Sequence, residues 1–273
     1  MLQNLHTHTN FCDGMDAPEK MVAKAIELGF DSLGFSSHAQ TDEHNGYELR
    51  DVFAYTSEIE RLKQKYAGKI DIYLGCEYDY YSLGVMPDYK FDYTIGSVHS
   101  ARLADGTAVT YDHSYARAKK HLDCDLNGDK NAFVKLYYDT VADLPNRIPG
   151  FDIVGHFDLL TKYSEQYPDF IDIESDFYKK TAIEAFYAVR EKKELFEVNT
   201  GAISRGYRTT PYPAPWILRE MRKANCKIVL TSDCHDCRRL TQSFDDAKAL
   251  IKASGFDTLY YLTSNGFVGK KLD

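Results

Sequence analysis

Short runs of β-branched and aromatic residues alternate with longer amphipathic segments along almost the whole chain, the pattern of repeated βα units rather than of hairpins. Pro18 near its start and Gly29 at its end bracket a first helix. A strand is expected over Asp31–Ser37, a helix near Val52 to Tyr66, and strands over Ile70–Cys76 and Phe91–Val98. The stretch from Ser100 to Asn131 is polar and less regular, suited to a lid or inserted loop. Beyond it the pattern predicts a helix near Ala132 to Leu144, a strand over Asp152–Gly155, a long helix from about Asp176 to Lys192 and a strand over Leu195–Asn199. A helix after Pro215, a strand over Lys227–Ser232, a helix near Phe244 to Ala253 and a short strand at Thr258 to Leu262 complete it. Six of these strands and the strand-like stretch around His6-Thr7-His8 make seven strands with interleaved helices, which suggest a distorted (β/α) barrel, whose site would lie at the carboxyl ends of the strands.

Polar residues with metal-binding chemistry fall at those ends. Side chains alternate along a strand, so His6 and His8 point one way and Thr7 the other. His38, Glu77, His99, His156, Asp233 and His235 each finish or follow an apolar run, and chance would have scattered some of them onto helix faces. With Asp13 the set numbers nine: His6, His8, Asp13, His38, Glu77, His99, His156, Asp233 and His235. Imidazole nitrogen with carboxylate oxygen suits Zn, Fe or Mn, whereas magnesium would want more oxygen. Nine ligands exceed one ion's shell, so two to three divalent transition-metal ions are expected, with Glu77 able to bridge a pair. His113 and His121 fall in the polar stretch and receive no metal role, and His44, in a loop after His38, reads as a solvated loop residue, with a place facing substrate as the alternative. Cys234-His235-Asp236-Cys237 resembles half a zinc ribbon, but no second Cys pair completes it, and alternation turns Cys234 away from Asp233 and His235 into packing.

Length and charge narrow the function. A chain of 273 residues fits one barrel-sized domain, residues 1–273, and a formal net charge of −8 opposes capture of a nucleic-acid backbone and favours a small substrate. No basic segment followed by an apolar run opens the chain and no long apolar stretch follows, so no membrane partner and a cytoplasmic location are expected. Six cysteines in a chain of this length call for no disulfide framework.

His6-Thr7-His8-Thr9, Asp13, Ser37-His38, Gly75-Cys76-Glu77, Gly96-Ser97-Val98-His99, Gly155-His156-Phe157-Asp158 and Ser232-Asp233-Cys234-His235 together resemble the PHP (polymerase and histidinol phosphatase) family, in order from residue 6 to 235. The resemblance implies a (β/α)7 barrel with a trinuclear centre. Carried over by position, one metal takes His6, His8, Glu77 and Asp233, a second Glu77, His99 and His156, and a third Asp13, His38 and His235. Within the family the chain is most similar to stand-alone histidinol-phosphate phosphatases, by its single-domain length, Asp at position 13 and the run from Gly155 to Tyr163. That implies hydrolysis of the small phosphomonoester L-histidinol phosphate to L-histidinol in histidine biosynthesis. Lys162 stands where these enzymes usually carry an arginine that touches phosphate, and Arg205 follows the Glu197-Val198-Asn199-Thr200 run after a longer gap, with Arg238 and Arg239 as alternatives. A lysine is a point charge where arginine offers a bidentate fork.

For such a phosphatase, Asp233 or His235 would protonate the leaving alkoxide, and Asp158 would hold a ligand in place from behind. Two rivals stand beside it. Another PHP phosphoesterase, a protein-tyrosine phosphatase or a nuclease, is the first, and a nuclease would show a basic groove or an attached polymerase domain; a non-catalytic metal-binding module would have shed ligands, and all nine positions keep them.

Overall fold

The computed structural model describes residues 1–42, 46–82, 84 and 89–272; His44 lies outside the described residues. Seven parallel strands form one sheet: β1 (Gln3–Asn4), β2 (Ser32–Phe35), β3 (Asp71–Asp79), β4 (Tyr93–Ser97), then β7 (Ile153–Val154), β8 (Leu195–Asn199) and β9 (Lys227–Thr231). The register runs through Asn4–Leu33, Leu33–Ile72, Gly75–Tyr93, Gly96–Val154, Val154–Phe196 and Phe196–Ile228. The first and last strands meet beyond their ends. Thr7 bridges Cys234 in parallel, the His8 amide donates to the Cys234 carbonyl at 2.9 Å, and the Asn4 side chain donates to Ser232 Oγ at 2.6 Å. The result is the expected seven-stranded α/β barrel, nearly closed.

Local signals set the outer helices. In α1 (Pro18–Glu27) the proline opens the helix, Gly29 ends it at φ +74°, and Met21, Val22 and Ala25 bury one stripe. Asp51, Asp129 and Ser175 accept main-chain hydrogen bonds as caps of α2 (Val52–Lys65), α4 (Lys130–Arg147) and α5 (Asp176–Arg190). Tyr93 blocks the space beside Gly34 and Gly75 inside the barrel, so neither position could carry a side chain without moving the ring.

The structure is more regular than the sequence pattern at two places. Residues 100–131 form a hairpin, β5 (Ser100–Arg102) with β6 (Ala108–Thr110), followed by α3 (Tyr115–Lys120), which runs into one π turn at His121–Asp125. Isolated apolar residues anchor this segment: Ala101, Val109, Tyr111, Ala118 and Leu122 are all buried in the larger core. A polar background concealed them. At the other end of the barrel β10 (Thr258–Thr263) pairs antiparallel with an unforeseen strand, β11 (Gly266–Lys271). The turn signal was Asn265-Gly266, with Gly266 at φ +88°. Short helices α6 (Gly201–Ser204), α7 (Pro215–Lys223) and α8 (Phe244–Ala253) complete the shell. No helix among the described residues is long and apolar enough to cross a membrane.

Candidate metal centre

Glu77, near the carboxyl end of β3, is buried among five imidazoles. Its Oε2 lies 3.2 Å from His6 Nε2, 3.5 Å from His8 Nε2 and 2.9 Å from His38 Nδ1. Its Oε1 lies 3.4 Å from His99 Nε2 and 3.0 Å from His156 Nε2, and accepts from Ser97 Oγ at 2.6 Å. His6 and His8 lie past the end of β1, where the Thr7–Cys234 bridge continues the alternation: both enter the cluster while Thr7 turns the other way to donate to the Gly34 carbonyl at 2.8 Å. Asp233 follows β9 with φ +45°, a left-handed conformation uncommon outside glycine, and is held by Arg205, which donates to its carbonyl and to its Oδ2, each at 3.0 Å. Asp233 Oδ1 faces His8 Nε2 at 3.2 Å, and Asp13 Oδ2 faces His235 Nε2 at 3.2 Å.

All nine ligand-capable side chains therefore converge, in overlapping groups close enough to share ions: His8, Asp13, His38 and His235; His6, His8 and Glu77; His6, His156 and Asp233; His38, Glu77 and His99. His156 is grouped with His6 and Asp233 while still touching Glu77, and His38 joins His99 at Glu77. Cys234 is buried in packing, and Cys237 sits beside Asp16 and Asp236.

Other side chains aim the cluster. Glu197 on β8 takes His6 Nδ1 at 2.9 Å, the His156 amide at 2.6 Å and Thr231 Oγ1 at 2.8 Å. Asp79 takes both the amide and Nδ1 of His99, at 3.0 and 3.1 Å. Fixing one ring nitrogen presents the other to a shared centre. Asp158 does not serve in this way: at the head of the turn at Leu159–Thr161 it accepts from the Ala214 amide at 2.9 Å and faces Arg208 at 3.7 Å. The holding role expected of Asp158 belongs to Glu197 and Asp79. The sequence signal for each was an acidic residue inside an apolar strand, where only a buried partner makes it tolerable.

The electrostatics ask for cations. Burial pushes the Glu77 carboxyl up, but His6, His38 and His99 hold it well below its ordinary range. Asp233 is likewise held down, by Arg205 foremost, against its burial. Burial together with the neighbouring imidazoles His38 and His235 pushes His8 down to about 3, so it stays neutral with a lone pair to offer. His6 and His99 are raised despite burial, by Glu197 and Glu77 respectively. Among the described residues, His6 Nε2, His8 Nε2, Glu77 Oε2 and His156 Nδ1 are buried with no aligned hydrogen bond despite their close polar neighbours, a costly condition that bound metal ions would relieve at the first three. The donor set fits such ions.

Above the cluster opens a cavity of about 390 Å³, lined by Asp13, His38, Tyr47, His99, Asp112, His113, His156, Leu159, Lys162, Arg205, Asp233 and His235. Lys162 and Arg205 are both in its wall. Lys162 is buried, donates to the Asp112 carbonyl at 2.6 Å and lies over the Tyr207 ring. Gly201 makes room for the Arg205–Asp233 pair, since a Cβ there would stand 2.8 Å from Asp233 Oδ2 and 2.9 Å from Arg205 Nη2. Arg238 and Arg239 do not line the cavity, and Arg238 is exposed and paired with Asp236. His121 pairs with Asp125 on the π turn, whereas His113, given no role from sequence, stands at the cavity's edge.

A barrel of parallel strands whose mouth gathers histidines and carboxylates around one buried glutamate is the architecture of a metal-dependent hydrolase. Residues 4–201 match the model of the PHP domain, and the chain belongs to that family, as a PHP metal phosphoesterase. A protein of Schizosaccharomyces pombe named as a probable histidinol-phosphatase is 26% identical over 275 residues, 93% of this chain and 87% of its own. The histidinol-phosphatase of Lactococcus lactis is 24% identical over 280 residues, 98% of this chain and 95% of its own. A solved structure of histidinol phosphate phosphatase from Lactococcus lactis, in complex with zinc, L-histidinol and phosphate, superposes with a TM-score of 0.73 at 22% identity over 98% of each chain, a likeness of fold.

Proposed function

We propose that this protein hydrolyses L-histidinol phosphate to L-histidinol and phosphate, using two to three divalent transition-metal ions, Zn, Fe or Mn. The observation that carries the reading is the placement of Lys162 and Arg205 in the wall of the cavity whose floor is the Glu77 cluster. His6, His8, Asp13, His38, Glu77, His99, His156, Asp233 and His235 would hold the ions, with Glu77 shared between two of them because both its oxygens face imidazoles. Bound there, the ions would supply Lewis acidity towards the phosphoryl oxygens and make the attacking water nucleophilic near neutral pH.

The chain's own groups do the rest. Lys162 and Arg205 bring fixed positive charge to the phosphoryl oxygens as the transition state forms. Arg205 also holds Asp233 in place, so one side chain links substrate grip to the geometry of the centre. Asp233 and His235, both reaching the cavity at the end of β9, are the candidates to deliver a proton to the leaving alkoxide. The names of the relatives, similar over nearly their whole length, support a small phosphomonoester as substrate.

The test is steady-state kinetics on protein of measured metal content, across L-histidinol phosphate, p-nitrophenyl phosphate, a phosphotyrosine peptide and a 3′-phosphorylated oligonucleotide. L-Histidinol phosphate should give the highest kcat/KM, because every competitor presents the same phosphoryl group and discrimination must come from the rest of the molecule. A better rate on the peptide or the oligonucleotide would remove the histidinol phosphate assignment and leave the metal phosphoesterase.

A further inference from the structure

Among the described residues three carboxylates line the cavity, and two of them are engaged with the centre. Asp13 stands 3.2 Å from His235 and 3.6 Å from His38. Asp233 accepts from Arg205 at 3.0 Å and faces His8 at 3.2 Å. The third, Asp112, belongs to none of the groups able to share an ion. Among the described residues no hydrogen bond reaches its carboxylate, and its ion-pair neighbour is Lys162, with Nζ 3.9 Å from Oδ2.

Its backbone, by contrast, is pinned. Buried Tyr111 donates its amide to the His99 carbonyl at 3.0 Å and its hydroxyl to the Phe133 carbonyl at 3.2 Å. The Asp112 carbonyl accepts from Lys162 Nζ at 2.6 Å and from the Tyr163 hydroxyl at 2.7 Å. Lys162 is thus anchored through the main chain of Asp112, and the carboxylate is left to face the cavity from a fixed point.

A negative charge in the wall of an anion site works against the phosphate that the site must hold. The penalty reverses if the substrate brings a cation of its own. Lys162 and Asp112 set a positive and a negative charge side by side, and the complement of that pair is a short zwitterion with a phosphate and an ammonium on neighbouring carbons. L-Histidinol phosphate has this form, its amine standing on the carbon next to the phosphorylated one. Resting on the phosphatase reading above, we infer that Asp112 is a specificity-determining residue whose carboxylate receives the ammonium of a 2-aminoalkyl phosphate, while Lys162 beside it faces the phosphoryl group.

The experiment crosses one substitution with one missing group. kcat/KM is measured for the wild-type protein and Asp112→Asn, at equal metal content, on L-histidinol phosphate and on its deaminated counterpart, imidazolylpropyl phosphate. Asparagine keeps the carbonyl that anchors Lys162 and removes only the charge. The preference for the ammonium-bearing ester should fall about ten- to a hundredfold in Asp112→Asn, the loss of one charge-assisted contact, and Asp112→Glu should retain more of it. Loss in equal proportion on both esters would overturn the inference, since Asp112 would then act only through Lys162 or the fold. Wild-type protein that hydrolyses p-nitrophenyl phosphate yet handles the two imidazole esters alike would overturn it too and leave the phosphatase intact. Wild-type protein inert towards every ester would remove both.

Discussion

The two ends of the barrel are made by the same strands and are opposite in character. At the amino end, Leu5, Tyr93, Ile95, Ile153, Leu195, Val229 and Leu262 close an apolar plug, with Leu262 brought in by the β10–β11 hairpin. The polar group admitted there is satisfied on both sides: Gln3 donates to Ser32 Oγ at 2.6 Å and to the Leu262 carbonyl at 2.9 Å, and accepts from the Leu262 amide at 2.8 Å. At the carboxyl end the interior is histidine and carboxylate, and among the described residues several buried atoms there make no hydrogen bond. An unsatisfied buried group costs about 1–3 kcal/mol, so such atoms belong where bound metal ions would pair with them, not in a plug. The lesson is a division of labour along the strand direction: one end holds the barrel shut, the other is arranged for something not part of the chain.

The comparison breaks most completely at Glu77. Glu77→Gln removes the shared carboxylate, and elemental analysis should find two ions lost together; kcat/KM should fall by about a thousandfold, roughly 4 kcal/mol of transition-state stabilisation. Loss of a single ion would contradict its bridging place. At the opposite end, Leu262→Ala should cost about 2–5 kcal/mol of unfolding free energy in denaturant titration, by leaving a cavity in the plug. Metal content and kcat of the folded fraction should not follow; a parallel loss of metal would show that the two ends are not separable. The smallest effect is expected at the cavity wall. Lys162→Ala should leave metal content intact and lower turnover of a phosphate ester about ten- to a hundredfold, the 1.5–3 kcal/mol of one charged hydrogen bond. Unchanged kinetics would place the phosphate with Arg205 and the ions alone.

Much of the mouth was legible along the chain because strand geometry is periodic and directional. His6 and His8 share a face by alternation, and His38, His99 and His156 follow strands whose ends all open to the same side. Asp158 lies four residues past the end of β7, where strand alternation no longer applies, and next to the turn at Leu159–Thr161 its carboxylate meets Ala214 and Arg208. Glu197 and Asp79 lie within strands and carry their signal only as buried charge, whose partners His6 and His99 are distant or on another element. β11 was passed over because its residues are mostly exposed and show no apolar alternation.

By itself the sequence determined the order of βα units, the ring of strands and the residue types waiting at their ends, since local periodicity and capping depend on neighbours a few positions away. Only the tertiary structure decided which oxygen of Glu77 faces which imidazole, that Arg205 grips Asp233, and that the Asp112 carboxylate is left facing the cavity beside Lys162. Those contacts join residues tens of positions apart, and the folding of the strands into one barrel is what brings them within reach.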